Sequence, residues 1–204
     1  MDTISNLLQE SIATIKLNAP FVFEVIALLW IILFVNRVLM KNRLFILGIY
    51  PRHIAGIPGI FLSSFLHQNT EHLFFNSIPL FIMMSFVLLS GMQTFYVVTF
   101  SIIVLSGTAT WLLARPFIHV GASSLIMGYF GYLLINASMN QTPVAIALAF
   151  VLLYYFGGFL FSILPGEKHI SWEGHLFGLL AGLFVGYFYA SIAPLFDHVQ
   201  GFVH

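Results

Sequence analysis

Long apolar runs occupy most of this chain, and short polar or turn-forming stretches separate them. A helix needs about 20 apolar residues to cross the hydrocarbon core of a membrane, and six runs are long enough. Each is predicted to be a helix, because an open sheet would leave backbone groups without hydrogen bonds in lipid. The six predicted crossings lie at about residues 21–40, 73–91, 94–114, 122–139, 143–164 and 173–193.

The segments that flank these crossings divide the chain further. Residues 1–20 carry apolar side chains every three or four positions, which predicts an amphipathic helix at the membrane surface, and they lack the pattern of a secretory signal. Residues 21–193 are predicted to form one six-helix domain, and 194–204 a short tail. The longest connection, 41–70, holds prolines, glycines and apolar residues and is expected to be structured and partly interfacial.

Composition strengthens the membrane interpretation. Hydrophobic residues make up 60% of the 204 residues and charged residues only 7%, so the chain cannot supply the polar exterior of a soluble protein. The formal net charge is zero, which argues against binding to nucleic acid. The absence of cysteine excludes disulfides, thiolate nucleophiles and cysteine metal sites. The expected partner is the lipid bilayer.

Polar residues gather at one end of the predicted bundle. With antiparallel crossings, the second, fourth and sixth begin on the same side of the membrane; His72 and Asn76 open the second, Ser123 the fourth and His175 the sixth. Polar and ionisable residues within a membrane segment are costly and are functional candidates by default. Three further histidines lie in adjoining loops and two on the other side: His67, His119 and His169, then His198 and His204.

Each of these residues also has a structural interpretation. His72 and Asn76 are four apart, on one helical face, and could simply hydrogen-bond neighbouring helices. Ser123 could be a helix N-cap. His175 is harder to explain by packing alone, because glycines recur after it every four residues and let another helix approach closely. These glycines are Gly178, Gly182 and Gly186, and the small residues Ser124 and Gly128 could face them.

A close approach of these two helices would bring His175 to Ser123. Histidine can accept the proton of a serine hydroxyl near neutral pH and thereby activate it as a nucleophile. Asn76, His72 and the backbone N–H of Ser123 could stabilise the resulting oxyanion. Glu173 is too near His175 along the helix to face it, so a serine–histidine dyad is expected rather than a triad.

Three segments together resemble the rhomboid intramembrane serine proteases. They are residues 64–76, 121–132 and 174–178 with Gly182, and the likeness extends over about residues 44–190. Two positions depart from the common pattern of that family, Ser124 in place of glycine and Met127 in place of an aromatic residue. The Trp-Arg pair common in the first loop of relatives is also missing.

The resemblance implies an all-α, six-helix rhomboid fold and cleavage of a peptide bond in or near the transmembrane segment of membrane-protein substrates. Ser123 would be the nucleophile, His175 the base, His72 and Asn76 part of the oxyanion hole, and Gly121 part of the tight loop before the nucleophile. Neither a cofactor nor a metal is implied. The expected location is the bacterial cytoplasmic membrane, as a multi-pass protein.

Two other functions stay open at this point. One is a transporter or channel that uses its histidines to bind a metal or relay protons, and the other is a non-catalytic rhomboid-like membrane chaperone.

Two indications of the orientation in the membrane disagree. All cations except Lys16 lie on the side of the first, third and fifth loops. The positive-inside rule places that side in the cytoplasm, whereas the family resemblance places both termini there.

Overall fold

The computed structural model describes residues 2–165 and 171–197, and in these ranges the chain is almost entirely helical. Several predicted features lie outside the described residues: His169, and the tail histidines His198 and His204. Of the predicted turn at 165–168, only Pro165 is described. The α-helices are α1 (Asp2–Phe34), α2 (Gly59–Leu62), α3 (Thr70–Val87), α4 (Met92–Leu113), α5 (Ser123–Asn140), α6 (Pro143–Phe156), α7 (Trp172–Tyr187), α8 (Tyr189–Ile192) and α9 (Pro194–Asp197).

These helices form an all-α, multi-pass membrane bundle, as predicted. Within the described residues, four helical stretches are long and apolar enough to cross a membrane: Ser5–Leu39, Thr70–Ser90, Met92–Leu113 and Pro143–Ile163. A fifth results if α7 and the helical segment Tyr189–Phe196, which bend by 76° at their junction, count as one crossing. The count of six stays a prediction.

The central helix α5 corresponds to a predicted crossing, but it is not among the helices that are long and apolar enough to cross a membrane. It packs against α3, α4, α6 and α7, and residues 125–133 are buried throughout. Because its side chains contact protein rather than lipid, α5 tolerates more polar and small residues than a helix at the periphery. The peripheral helix α6 shows the opposite, exposing the large apolar side chains of Phe150, Leu153 and Tyr154.

Helices α5 and α7 pack with their backbones in contact, as the glycine stripe predicted. A Cβ atom added to Gly178 would lie 2.1 Å from the carbonyl oxygen of Ser124, and one added to Gly182 would lie 1.8 Å from that of Gly128. No side chain fits at these distances. The two glycines therefore set the separation of α5 and α7, and α7 makes its most extensive contact with α5.

The N-terminal segment is continuous with the first crossing. Residues 1–20 were predicted as a separate surface helix, but α1 runs from Asp2 to Phe34 without a break and ends in a π-helical turn, Val35–Leu39. The helix bounds therefore do not mark the predicted boundary at residue 20. That boundary stays a prediction.

The long first loop is structured by contacts with the end of α4. Arg52 donates from its guanidinium to the carbonyls of Leu112 and Ala114 at 3.1 and 2.8 Å, and the indole of Trp111 donates to the carbonyl of His53 at 2.9 Å. The two bonds from Arg52 satisfy carbonyls that the end of α4 leaves without partners, and the bond from Trp111 ties the loop backbone to the same helix end. Arg52 and Trp111 thus anchor a loop in which the sequence lacks the expected Trp-Arg pair.

Candidate active site

A cavity of about 610 Å³ opens at the end of the bundle where α3, α5 and α7 begin. Four of the predicted site residues line it: His72, Asn76, Ser123 and His175. The structure therefore brings together side chains that are up to 103 positions apart along the sequence (175 − 72). Their chemical roles stay predictions.

Ser123 is the first residue of α5, and the turn before it depends on Gly121. The φ angle of Gly121 is +129°, a conformation that side-chain-bearing residues rarely adopt. A Cβ atom at this position would also lie 2.7 Å from the Cε1 atom of His72. Glycine is thus required here both by the backbone and by the close packing of the histidine ring.

The first loop holds this turn in place. The N–H of Gly121 donates to the carbonyl of Ser63 at 2.9 Å, and the N–H of Ala122 donates to Nε2 of His67 at 3.3 Å. Burial lowers the pKa of His67 to about 3, so its ring is neutral near pH 7 and can accept this bond. The N–H of Ser123 lies in the first turn of α5, where a helix provides no intrahelical acceptor.

The imidazole of His175 is oriented by a main-chain carbonyl. Its Nδ1 atom lies 3.1 Å from the carbonyl oxygen of Ser162, in the segment after α6. A carbonyl can only accept, so Nδ1 carries the proton and Nε2 is left as the basic nitrogen. Within the described residues no hydrogen bond joins His175 to Ser123, although both line the cavity. Catalytic hydrogen bonds are often long before a substrate binds.

Asn76 offers a hydrogen-bond donor at the turn before Ser123. The residue is 8% exposed, and among the described residues its Nδ2 atom has no hydrogen-bond partner. This atom lies 3.8 Å from the Cβ position of Gly121. A buried, unpartnered amide is costly, and its position on the cavity wall makes it available to a bound group.

The acidic residue nearest His175 in sequence belongs to a different interaction. Glu173 is buried and forms an ion pair with Arg115, whose Nη2 atom also donates to Oε2 at 3.0 Å. The expectation that Glu173 does not face His175 is therefore confirmed. No group of three or more histidine or acidic side chains suited to a metal occurs within residues 2–165 and 171–197.

Two departures from the family pattern have structural counterparts. Ser124 lies opposite Gly174 of α7, and a Cβ atom at Gly174 would stand 3.9 Å from that of Ser124, which is ordinary contact. A serine therefore fits where relatives commonly have glycine. Met127 is 2% exposed and lines the cavity, so a flexible thioether occupies the place of an aromatic ring.

The sequence reasoning missed three groups that line or shape this site. The Ser162 carbonyl has no signature in the sequence, because any residue supplies one. Ser171, by contrast, carried the ordinary signal of a helix N-cap before α7. His119 was placed in a loop near the site without a role; it is 4% exposed and lines the cavity, and burial lowers its pKa.

Comparisons with known proteins agree with the motifs. The family model described as Rhomboid domain matches residues 54–192. An uncharacterized protein of Mycobacterium bovis and one of Mycobacterium tuberculosis are each 33% identical over 171 residues, which is 79% of this chain and 71% of the relative. An uncharacterized protein of Mycobacterium leprae is 32% identical over 138 residues, 63% of this chain and 55% of the relative.

Proposed function

This chain belongs to the rhomboid family, and we propose that it is an intramembrane serine endopeptidase. Its reaction would be hydrolysis of a peptide bond in or near the transmembrane segment of a membrane-protein substrate. The observation that supports this most is the shared cavity of Ser123, His175 and Asn76, in which Nε2 of His175 is the free basic nitrogen. No metal or cofactor has a part in the proposal.

In the acylation step, Nε2 of His175 takes the proton of Ser123 Oγ while Oγ attacks the substrate carbonyl carbon. The imidazolium that forms keeps its Nδ1–H on the Ser162 carbonyl, which takes the orienting role that a carboxylate has in a triad. Collapse of the tetrahedral intermediate breaks the C–N bond, and the Nε2 proton passes to the leaving amine. Nε2 of His175 then takes a proton from water as the water attacks the acyl carbon. The acyl C–Oγ bond breaks, Ser123 Oγ takes the proton back from His175, and the carboxylic acid product leaves.

The oxyanion would be stabilised by the donors that the fold leaves unused. The amides of Gly121 and Ala122 are already bonded to Ser63 and His67. The side-chain amide of Asn76 and the N–H of Ser123 are therefore the principal donors, and His72 adds a third from the cavity wall. Preorganised donors of this kind are commonly the largest contribution to such catalysis.

The proposed substrate follows from the lining of the cavity. Phe75, Ile126 and Phe159 provide an apolar wall beside the polar catalytic groups. A substrate segment arriving from the bilayer keeps its apolar side chains against such a wall while its backbone reaches Ser123.

We also propose that the protein lies in the bacterial cytoplasmic membrane with both termini in the cytoplasm. A reporter fused to the C-terminus tests this orientation.

The decisive experiment uses purified protein in liposomes with a transmembrane reporter substrate. Ser123→Ala and His175→Ala should each lower cleavage by ~10⁴-fold or more, with thermal unfolding near that of the parent. Ser85→Ala is a matched control, because Ser85 is a buried serine of α3 whose hydroxyl, among the residues that the structure describes, bonds within its own helix to the carbonyl of Phe81. Parental cleavage by either dyad variant would overturn the proposal.

A further inference from the structure

The first turn of α7, which carries His175, is held by Ser171. The hydroxyl of Ser171 accepts the N–H of Gly174 at 3.2 Å, and its carbonyl accepts the N–H of His175 at 3.2 Å. Ser171 is thus the N-cap of α7 and contacts the backbone of the proposed base directly. Any movement of Ser171 moves the backbone of His175.

Ser171 is in turn held by His119, four residues before Ser123. The Nδ1 atom of His119 lies 2.6 Å from Oγ of Ser171, and its Nε2 atom lies 3.0 Å from the carbonyl of Arg115. The carbonyl only accepts, so Nε2 carries the proton of the neutral ring. The Ser171 hydroxyl therefore donates to Nδ1, which leaves its oxygen to accept the N–H of Gly174.

His119 is fixed independently of α7. Its N–H donates to the carbonyl of Ile49 at 2.9 Å, and its carbonyl accepts the N–H of Ile49 at 3.0 Å, so the first loop holds its backbone. Its ring stacks on Phe117 with centroids 4.0 Å apart. The ring is thus a stationary partner against which Ser171 is located.

Building on the proposed protease function, we propose that His119 is a positioning residue that sets the distance between His175 and Ser123. It joins the loop that leads into Ser123 to the N-cap of the helix that carries His175. The bidentate ion pair of Arg115 with the buried Glu173 joins the same two segments and keeps α7 docked when His119 is lost, but the hydroxyl that caps the first turn of α7 is bonded to His119. Loss of His119 should therefore loosen the dyad without unfolding the protein.

Two substitutions separate positioning from packing. In His119→Asn the amide oxygen can take the place of Nδ1 and accept the Ser171 hydroxyl, whereas in His119→Gln the amide can take the place of Nε2 and keeps only the bond to Arg115. We expect Asn to retain kcat within ~5-fold and Gln to lose ~10- to 100-fold, because a shift near 1 Å at reacting groups costs up to about that much. KM and thermal unfolding should differ little between them.

A double-mutant cycle and a matched control complete the test. If His119 acts through Ser171, His119→Gln and Ser171→Ala should not add in their effects on kcat. The control Tyr189→Phe removes a hydrogen bond of 2.9 Å to Thr94, which joins the other ends of the helices, and should leave kcat unchanged. Equal losses for Asn and Gln, additive effects, or a change confined to KM would overturn the inference.

Hydrogen exchange keeps this test separate from the proposed protease function. Amides of residues 171–176 should exchange faster in His119→Gln than in His119→Asn, whether or not the protein cleaves the reporter. If the parent does not cleave, the protease proposal fails while exchange still decides the coupling. Equal exchange in the two variants would remove the link between His119 and α7.

Discussion

A single methyl group at Gly178 should separate the proposed catalytic residues. Its Cβ atom would lie 2.1 Å from the carbonyl oxygen of Ser124, and ordinary contact begins at 3.4 Å, so the helices must part by about 1.3 Å (3.4 − 2.1). Gly178 lies one turn beyond His175, and Ser124 is the neighbour of Ser123. The separation therefore occurs at the dyad.

The expected effect of Gly178→Ala is a fall in kcat/KM of ~10²-fold, because a displacement near 1 Å costs about that much. Overpacking should also lower the free energy of unfolding by about 1–3 kcal/mol. Initial rates with a transmembrane reporter and thermal unfolding, both in the same detergent, measure the two quantities. The purified protein should remain folded at the assay temperature.

Gly186→Ala is the matched control on the same helix face. Its Cβ atom would meet the side chain of Ile135 at 1.9 Å, but a side chain can turn away where a backbone carbonyl cannot. Gly186 also lies roughly 16 Å beyond His175 along the axis, at ~1.5 Å per residue. Its kcat/KM should stay within a few-fold. Parental rate and stability in Gly178→Ala would refute the close contact, and equal activity losses in both variants would refute its local action on the dyad.

Three further predictions address the oxyanion hole, the first loop and pH. Asn76→Ala should lower kcat by ~10²–10³ with little change in KM, the cost of losing one main oxyanion donor. Arg52→Ala should lower the free energy of unfolding by about 1 kcal/mol, because two carbonyls at the end of α4 lose their donor, as thermal unfolding can measure. The pKa of His67 is about 3 in the folded protein and about 6.5 in the unfolded chain, so the unfolded chain binds more protons between these two pH values. The free energy of unfolding should therefore fall as the pH drops below 6.5, by at most about 1.4 kcal/mol per pH unit for this ring. His67→Gln keeps an acceptor for Ala122 and should make that fall shallower.

Each of the three has an outcome that contradicts it. If Asn76→Ala has the kcat of the parent, then Asn76 contributes to packing and is not an oxyanion donor. An Arg52→Ala protein as stable as the parent would mean that other contacts hold the first loop. His119 also has a pKa lowered by burial and adds to the pH dependence in the same direction, so His67→Gln should remove only part of it. A slope identical to that of the parent would show that His67 does not contribute.

Much of the candidate site could be predicted because its chemistry requires particular residue types at particular spacings. Ser123, His175 and Asn76 were recognisable as polar residues at the starts of apolar helices, where lipid penalises them. Gly178 and Gly182 were recognisable because only a missing side chain lets backbones touch. The groups that position these residues were not predicted, since a carbonyl such as that of Ser162 is present at every residue.

The sequence by itself determined that the protein lies in a lipid bilayer and that its apolar runs are helices, because a chain in lipid must satisfy its backbone hydrogen bonds internally. It also determined the end of the bundle at which the polar groups meet, because successive antiparallel crossings begin on opposite sides of the membrane. Only the tertiary structure decided that α5 is central, that Arg52 and Trp111 anchor the first loop, and that His119 reaches Ser171. The anchors of the first loop and the contact of His119 with Ser171 join residues 50 or more positions apart, and the distance between such residues is set by how whole helices pack. No local pattern encodes that distance.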